Sequence, residues 1–137
     1  YYGLPCMPKR LMLYNYDAAI NYQTVVVVEG VTSVWRLGGP SVALFGKTIS
    51  QQQRRELLQW RQIILMFDAD DHTAQQKMQE EYEELNRLKP GCVAQVHLPQ
   101  GTDPGLFDRQ TLWPMIRQGA KAYGMTLDIK RRDRVAV

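Results

Sequence analysis

The chain has 137 residues, 45% of them hydrophobic and 23% charged, with a net charge of +3. That length holds one hydrophobic core with helices around it rather than two, and the composition excludes a disordered, low-hydrophobicity segment. No apolar run nears the roughly 18 to 20 residues of a membrane span, and Tyr1-Tyr2-Gly3-Leu4-Pro5 lacks a signal pattern, so a cytoplasmic protein without membrane partners is expected.

Cys6 and Cys92 lie far apart with no Cys-x-x-Cys pair, which points to free thiols rather than a disulfide framework or zinc knuckle. Positive charge collects at Lys130, Arg131, Arg132 and Arg134, with Lys9 and Arg10 near the start. Such a cluster is either a solvated tail or a patch that contacts phosphates.

In chain order, Thr24 to Val28 is continuously apolar and β-branched after its first residue, as in a strand buried on both faces of a parallel sheet. Glu29-Gly30 ends it. Val31 to Leu37 reads as a short helix closed by Gly38-Gly39-Pro40, and Ser41 to Phe45 as a second strand. Ser50 can cap a helix reaching about Trp60, with Leu57, Leu58 and Trp60 toward the core. Ile63 to Phe67 is a third strand, ending at Asp68-Ala69-Asp70-Asp71.

The stretch His72 to Leu88 is rich in good helix formers and stops at Lys89-Pro90-Gly91; Val93 to Leu98 follows as a fourth strand. Leu106 to Gln118 reads as a helix that Pro114 should start or kink, and Thr126 onward as an edge strand or tail. Strands alternating with helices predict an α/β fold with a sheet of about four strands, mainly parallel and flanked by helices. The expected organisation is a lead-in over 1–23, the α/β domain over 24–118 and a basic segment over 119–137.

The carboxylates fall where such a fold binds ligands, beyond the carboxyl ends of the strands. Glu29 follows four valines and Asp68 follows Ile63 to Phe67, so both reach one rim if the two strands are neighbours. Residues i and i+2 of an extended chain point the same way, so Asp68 and Asp70 can aim four oxygens at one point. That donor set suits Mg²⁺ or Mn²⁺, which keep open positions for substrate phosphates. Asp70 or Asp71 as a helix cap is the plainer alternative. In Gly101-Thr102-Asp103-Pro104-Gly105, Asp103 is either a further metal ligand at the rim or part of an ordinary turn.

The order strand-Glu-Gly, strand-Asp-x-Asp, strand-loop-Asp-Pro, carried by Val25 to Gly30, Ile63 to Asp71 and Gly101 to Gly105, resembles the Toprim domain of primases, topoisomerases and some nucleases. With Ala43-Leu44-Phe45-Gly46 after the glutamate unit, it looks most like bacterial and phage-type DNA primases. The resemblance implies a Toprim fold and metal-dependent nucleotidyl transfer that makes RNA primers. It implies Asp68 and Asp70 as metal ligands and Glu29 as ligand or general acid-base group. The implied partners are single-stranded DNA template, nucleoside triphosphates and a helicase. Asp71-His72-Thr73-Ala74 departs from the primase pattern by lacking a glycine, and the zinc module and template-gripping subdomain of primases have no counterpart in this sequence.

Other readings compete. A Toprim nuclease or topoisomerase fragment shares the acidic set. Phe67 to Thr73 also resembles the first motif of haloacid-dehalogenase-type phosphatases, with Asp68 as nucleophile and Asp70 as general acid, but that reading leaves Glu29 without a role. A non-catalytic nucleic-acid-binding module is a further class. Gly46-Lys47-Thr48 is no P-loop, because Ser41 stands where the first glycine belongs; Lys47 contacts a phosphate or is a solvated turn residue. His72 and His97 lack metal-ligand spacing and read as surface or core histidines.

Overall fold

The computed structural model describes residues 13–44, 49–69 and 72–129. Lys47, Asp70, Lys130, Arg131 and Arg132 lie outside the described residues. Among the described residues the elements run β1 (Leu13–Tyr14), α1 (Tyr16–Ala19), β2 (Thr24–Val28), α2 (Val31–Leu37), β3 (Ser41–Leu44), α3 (Gln51–Leu57), β4 (Gln62–Leu65), α4 (His72–Leu88), β5 (Val93–Gln95) and α5 (Arg109–Lys121), with a 3-10 turn at Pro104–Leu106 before α5. No helix among them is long and apolar enough to cross a membrane.

The strands form one sheet in the order β1-β3-β2-β4-β5, parallel throughout except for β1. The fifth strand, beyond the four expected, comes from the segment read as a lead-in: Leu13 and Tyr14 pair antiparallel with Leu44 and Ala43. Two residues give no periodicity to read, so only the tertiary pairing defines this strand. Asn15, at φ 71°, turns the chain out of it, and its side-chain amide donates to the carbonyl of Ser41.

The valines of β2 are buried on both faces. Val25 and Val27 enter a core with Leu57, Trp60, Ile63, Leu65, Met78 and Leu85. Val26 and Val28 enter the opposite core with Val34, Leu37, Ile64, Met66, Leu112 and Ile116. Helices α1, α3 and α4 therefore cover one face, and α2 and α5 the other. Trp60 is fully enclosed, donates its indole N–H to the carbonyl of Ala19 and meets Tyr16 edge-on at 5.7 Å between ring centroids. Helix α3 ends at Leu57, short of the expected Trp60; of the residues expected toward the core, Leu57 and Trp60 are buried, whereas Leu58 is only partly covered.

Helix ends follow local chemistry. Ser50 and Gln53 form a reciprocal capping box at α3. Gly38 closes α2 at φ 90° and ψ −152°, a conformation that suits glycine. Arg54 of α3 pairs with Glu81 of α4, and that hydrogen bond raises the Arg54 pKa. Helix α5 starts at Arg109 rather than Leu106 because Asp108 caps it, its carboxylate accepting the Thr111 N–H at 2.8 Å. Pro114 sits inside α5 rather than starting it. Just past the first turn, it removes a single intrahelical bond, to Gln110, and the helix continues.

Two strands are shorter than expected. β4 ends at Leu65 and β5 at Gln95, where their mutual ladder stops. The segment after Thr126 forms no edge strand over its described part. Instead Met125 and Leu127 are buried, and side chains take the place of a ladder: Gln62 donates to the carbonyl of Thr126 and accepts from the Asp128 N–H.

Candidate functional site

β2 and β4 are hydrogen-bonded neighbours, with Val27 beside Leu65 and the Met66 N–H donating to the carbonyl of Val27. The helix after β2 packs on one face of the sheet and the helix after β4 on the other. Their carboxyl ends are therefore the topological switch point, where the loops diverge and leave a crevice. Glu29 and Asp68 emerge there side by side.

Glu29 is half-buried, and its Oε1 accepts the backbone N–H of Asp68 at 2.9 Å. The bond fixes the glutamate against the first residue of the Asp-x-Asp motif. Gln75, in the first turns of α4, donates its side-chain amide to the carbonyls of Asp68 at 2.9 Å and Phe67 at 3.2 Å. The strand end is thus held from both sides, by a carboxylate on its N–H and a carboxamide on its carbonyls.

The loop carrying Asp103 is tied to the same place. The Ala69 N–H donates to the carbonyl of Thr102 at 2.7 Å, and the Gly101 N–H donates to the carbonyl of Ala69 at 3.0 Å. Asp103 itself caps the 3-10 turn, Oδ1 accepting the Gly105 N–H at 2.7 Å. The Asp-Pro-Gly turn and the approach to the rim are therefore both present. Among the described residues no group of three or more His, Cys, Asp or Glu side chains is arranged to hold a metal. Glu29 and Asp68 are the acidic pair the described structure brings together.

His97 and Gln75 were not legible as site residues. The His97 ring nitrogen Nδ1 lies 3.2 Å from Gln75 Oε1. The Gln75 amide N–H groups are directed at two carbonyls, so its oxygen is the acceptor and Nδ1 of His97 carries the proton. Neither residue belongs to a motif, and only the packing of α4 across the end of β4 brings them to the rim.

No family model and no curated protein matches the sequence. Solved structures do match. The DnaG catalytic core superposes with a TM-score of 0.73 at 19% identity, over 89% of this chain and 44% of that one. The zinc-binding and RNA polymerase domains of the Aquifex aeolicus primase give 0.70 at 22% identity, over 85% of this chain and 32% of that one. The DnaG primase catalytic domain bound to single-stranded DNA gives 0.71 at 19% identity, over 89% of this chain and 44% of that one. The chain spans less than half the length of each of these structures. The five-stranded, mostly parallel α/β fold of this chain is thus similar to that of primase catalytic cores.

Proposed function

We propose that this chain is the Toprim part of a DNA primase, residues 24–118 forming the nucleotidyl-transfer unit that makes RNA primers on a single-stranded DNA template. The observation that carries the reading is the hydrogen bond from the Asp68 N–H to Glu29, which couples the two acidic motifs at the switch point of a primase-like fold.

Glu29, Asp68, Asp70 and Asp103 offer carboxylate oxygens and no thiolate or imidazole, a donor set that fits Mg²⁺ or Mn²⁺. When bound, such a cation supplies charge neutralisation at the phosphates of the nucleoside triphosphate. In this reading Asp68 and Asp70 hold the cation and Asp103 adds a ligand from the neighbouring loop. Glu29 is a further ligand or takes the proton of the primer 3′-hydroxyl, its position set by the Asp68 amide. Lys47, Lys130, Arg131 and Arg132 contact phosphates of template or nucleotide. A helicase is the expected protein partner, and the cytoplasm the expected location.

The test joins the chain to a zinc module and a template-gripping subdomain of primase type. Template-dependent, metal-dependent primer synthesis that Glu29→Gln abolishes supports the reading. Phosphate release from small phosphomonoesters, unaffected by Glu29→Gln, would instead support a haloacid-dehalogenase-type phosphatase.

A further inference from the structure

The charges on the helices divide by face. Helices α2 and α5, on one side of the sheet, carry Arg36, Arg109, Arg117 and Lys121 and no acidic residue within their bounds. In α1, α3 and α4, on the other side, six carboxylates outnumber four lysines and arginines. All four cations of the α2–α5 face are exposed, and the carboxylate at the head of α5, Asp108, is engaged in capping that helix. Arg109, Trp113, Arg117 and Lys121 recur every four residues, so they form one stripe along α5. The stripe begins against α2, where Arg109 Nε donates to the carbonyl of Arg36 at 3.1 Å and Trp113 Nε1 to that of Leu37 at 3.2 Å.

At that end of the stripe stands an exposed aromatic ring. Trp35 of α2 is 66% exposed, whereas Trp60 is enclosed and Trp113 half-buried. Its indole N–H donates to the Tyr14 hydroxyl at 3.1 Å, which ties the ring to β1 and satisfies its one polar group within the chain. Trp35 lines a groove of about 310 Å³ together with Tyr14, Ala18, Val34, Gly38 and Gly39. The Arg109 guanidinium lies over Gly38, where an added Cβ would stand 3.0 Å from Nη2. Groove and stripe are therefore contiguous.

A row of cations with an aromatic platform at one end matches the chemistry of a single nucleic-acid strand. Its phosphates repeat along the backbone, and each unpaired base has a π-face that stacks on a ring whatever its sequence. A duplex offers the phosphates without a free base, and an apolar peptide leaves the charges unanswered. We infer that the α2–α5 face binds a single strand, one base packed on Trp35 in the groove and the backbone following Arg36, Arg109, Arg117 and Lys121. None of these residues belongs to the acidic rim, and the claim does not rest on the proposed polymerase function. Ring and cations do not read the sugar, so DNA and RNA are the two sources to compare.

The experiment titrates the full chain, without metal or nucleotide, into fluorescein-labelled oligothymidine and oligouridine of about ten nucleotides and reads anisotropy at about 50 mM salt. Binding of at least one is expected, and the tighter of the two names the strand. Trp35→Ala should weaken it at least about fivefold, and Trp35→Phe should restore most of the loss. Replacing Arg117 and Lys121 by Gln should reduce the slope of log affinity against log salt by about 0.7 per charge. A blunt duplex should not respond to Trp35→Ala. No binding at about 100 µM protein, an affinity that Trp35→Ala leaves unchanged, a duplex that responds equally, or a salt slope indifferent to the two charges would each overturn the proposal. So would self-association that Trp35→Ala abolishes in sedimentation without oligonucleotide, which would assign the face to a second copy. If Trp35→Ala does not fold, Ala18→Glu, which sets a carboxylate in the groove wall, decides by the same fivefold criterion.

Discussion

The side chain of Glu29 and the backbone N–H of Asp68, 39 residues apart in sequence, meet at 2.9 Å. One carboxylate therefore has two separable duties, accepting this N–H and supplying negative charge. Glu29→Gln keeps an acceptor and should melt within a degree or two of the parent, whereas Glu29→Ala strands the amide and should cost about 1 to 3 kcal/mol. Thermal denaturation of both variants separates the duties. A Gln variant as unstable as the Ala variant would show that charge, not the hydrogen bond, holds the strand end.

Mg²⁺ or Mn²⁺ at millimolar concentration should raise the melting temperature of the parent, and Asp68→Asn with Asp70→Asn should remove the rise. The effect is modest because a site that leaves positions for substrate binds metal weakly. An unchanged melting curve with metal in the parent protein would count against the centre.

Gln75 ties α4 to two carbonyls and to His97. Gln75→Leu should cost about 1 to 2 kcal/mol and speed amide exchange at Ala69 and Gly101, whose pairing depends on the strand end. Hydrogen exchange measured residue by residue reads this directly; protection unaltered at Ala69 would make Gln75 a packing residue only.

The α3 cap gives a local control far from the rim. Ser50→Ala removes the acceptor for the Gln53 N–H and breaks the reciprocal bond pattern, so a loss of about 1 kcal/mol is expected in a denaturant titration. Metal response should be unchanged.

The Asp108 carboxyl at the start of α5 is held below its ordinary value of 3.8, chiefly by the hydrogen bonds from Thr111, with Arg36 adding to the effect. A depressed folded pKa means that the stabilisation is complete above the unfolded value and is lost as pH falls through the folded one. The stability gap between parent and Asp108→Ala should therefore be constant near neutrality and close below pH 3.8. A gap that persists in strong acid would place the effect in packing instead.

Much of the fold was legible because it rests on local signals. Five consecutive buried residues in β2 and the long polar helix after Asp71 announce themselves by composition, and α4 runs from His72 to Leu88 as read. β1 and the segment after Met125 were not, since one is a two-residue pairing and the other is held by Gln62 rather than by a ladder. Glu29 and Asp68 could be chosen from sequence, each ending a buried strand; that the strands are neighbours could only be assumed. Gln75 and His97 carry no motif, and their contact is set by tertiary packing that no spacing reveals.

The strand order has a kinetic consequence. β2 finds β3 across a short local connection, but its pairing with β4 must close a loop of 38 residues, from Thr24 to Gln62. Long loops cost more entropy before their contacts repay it. Glu29 is therefore expected to gain the Asp68 N–H only once β4 docks. The acidic rim completes late, so substitutions there should speed unfolding more than they slow folding.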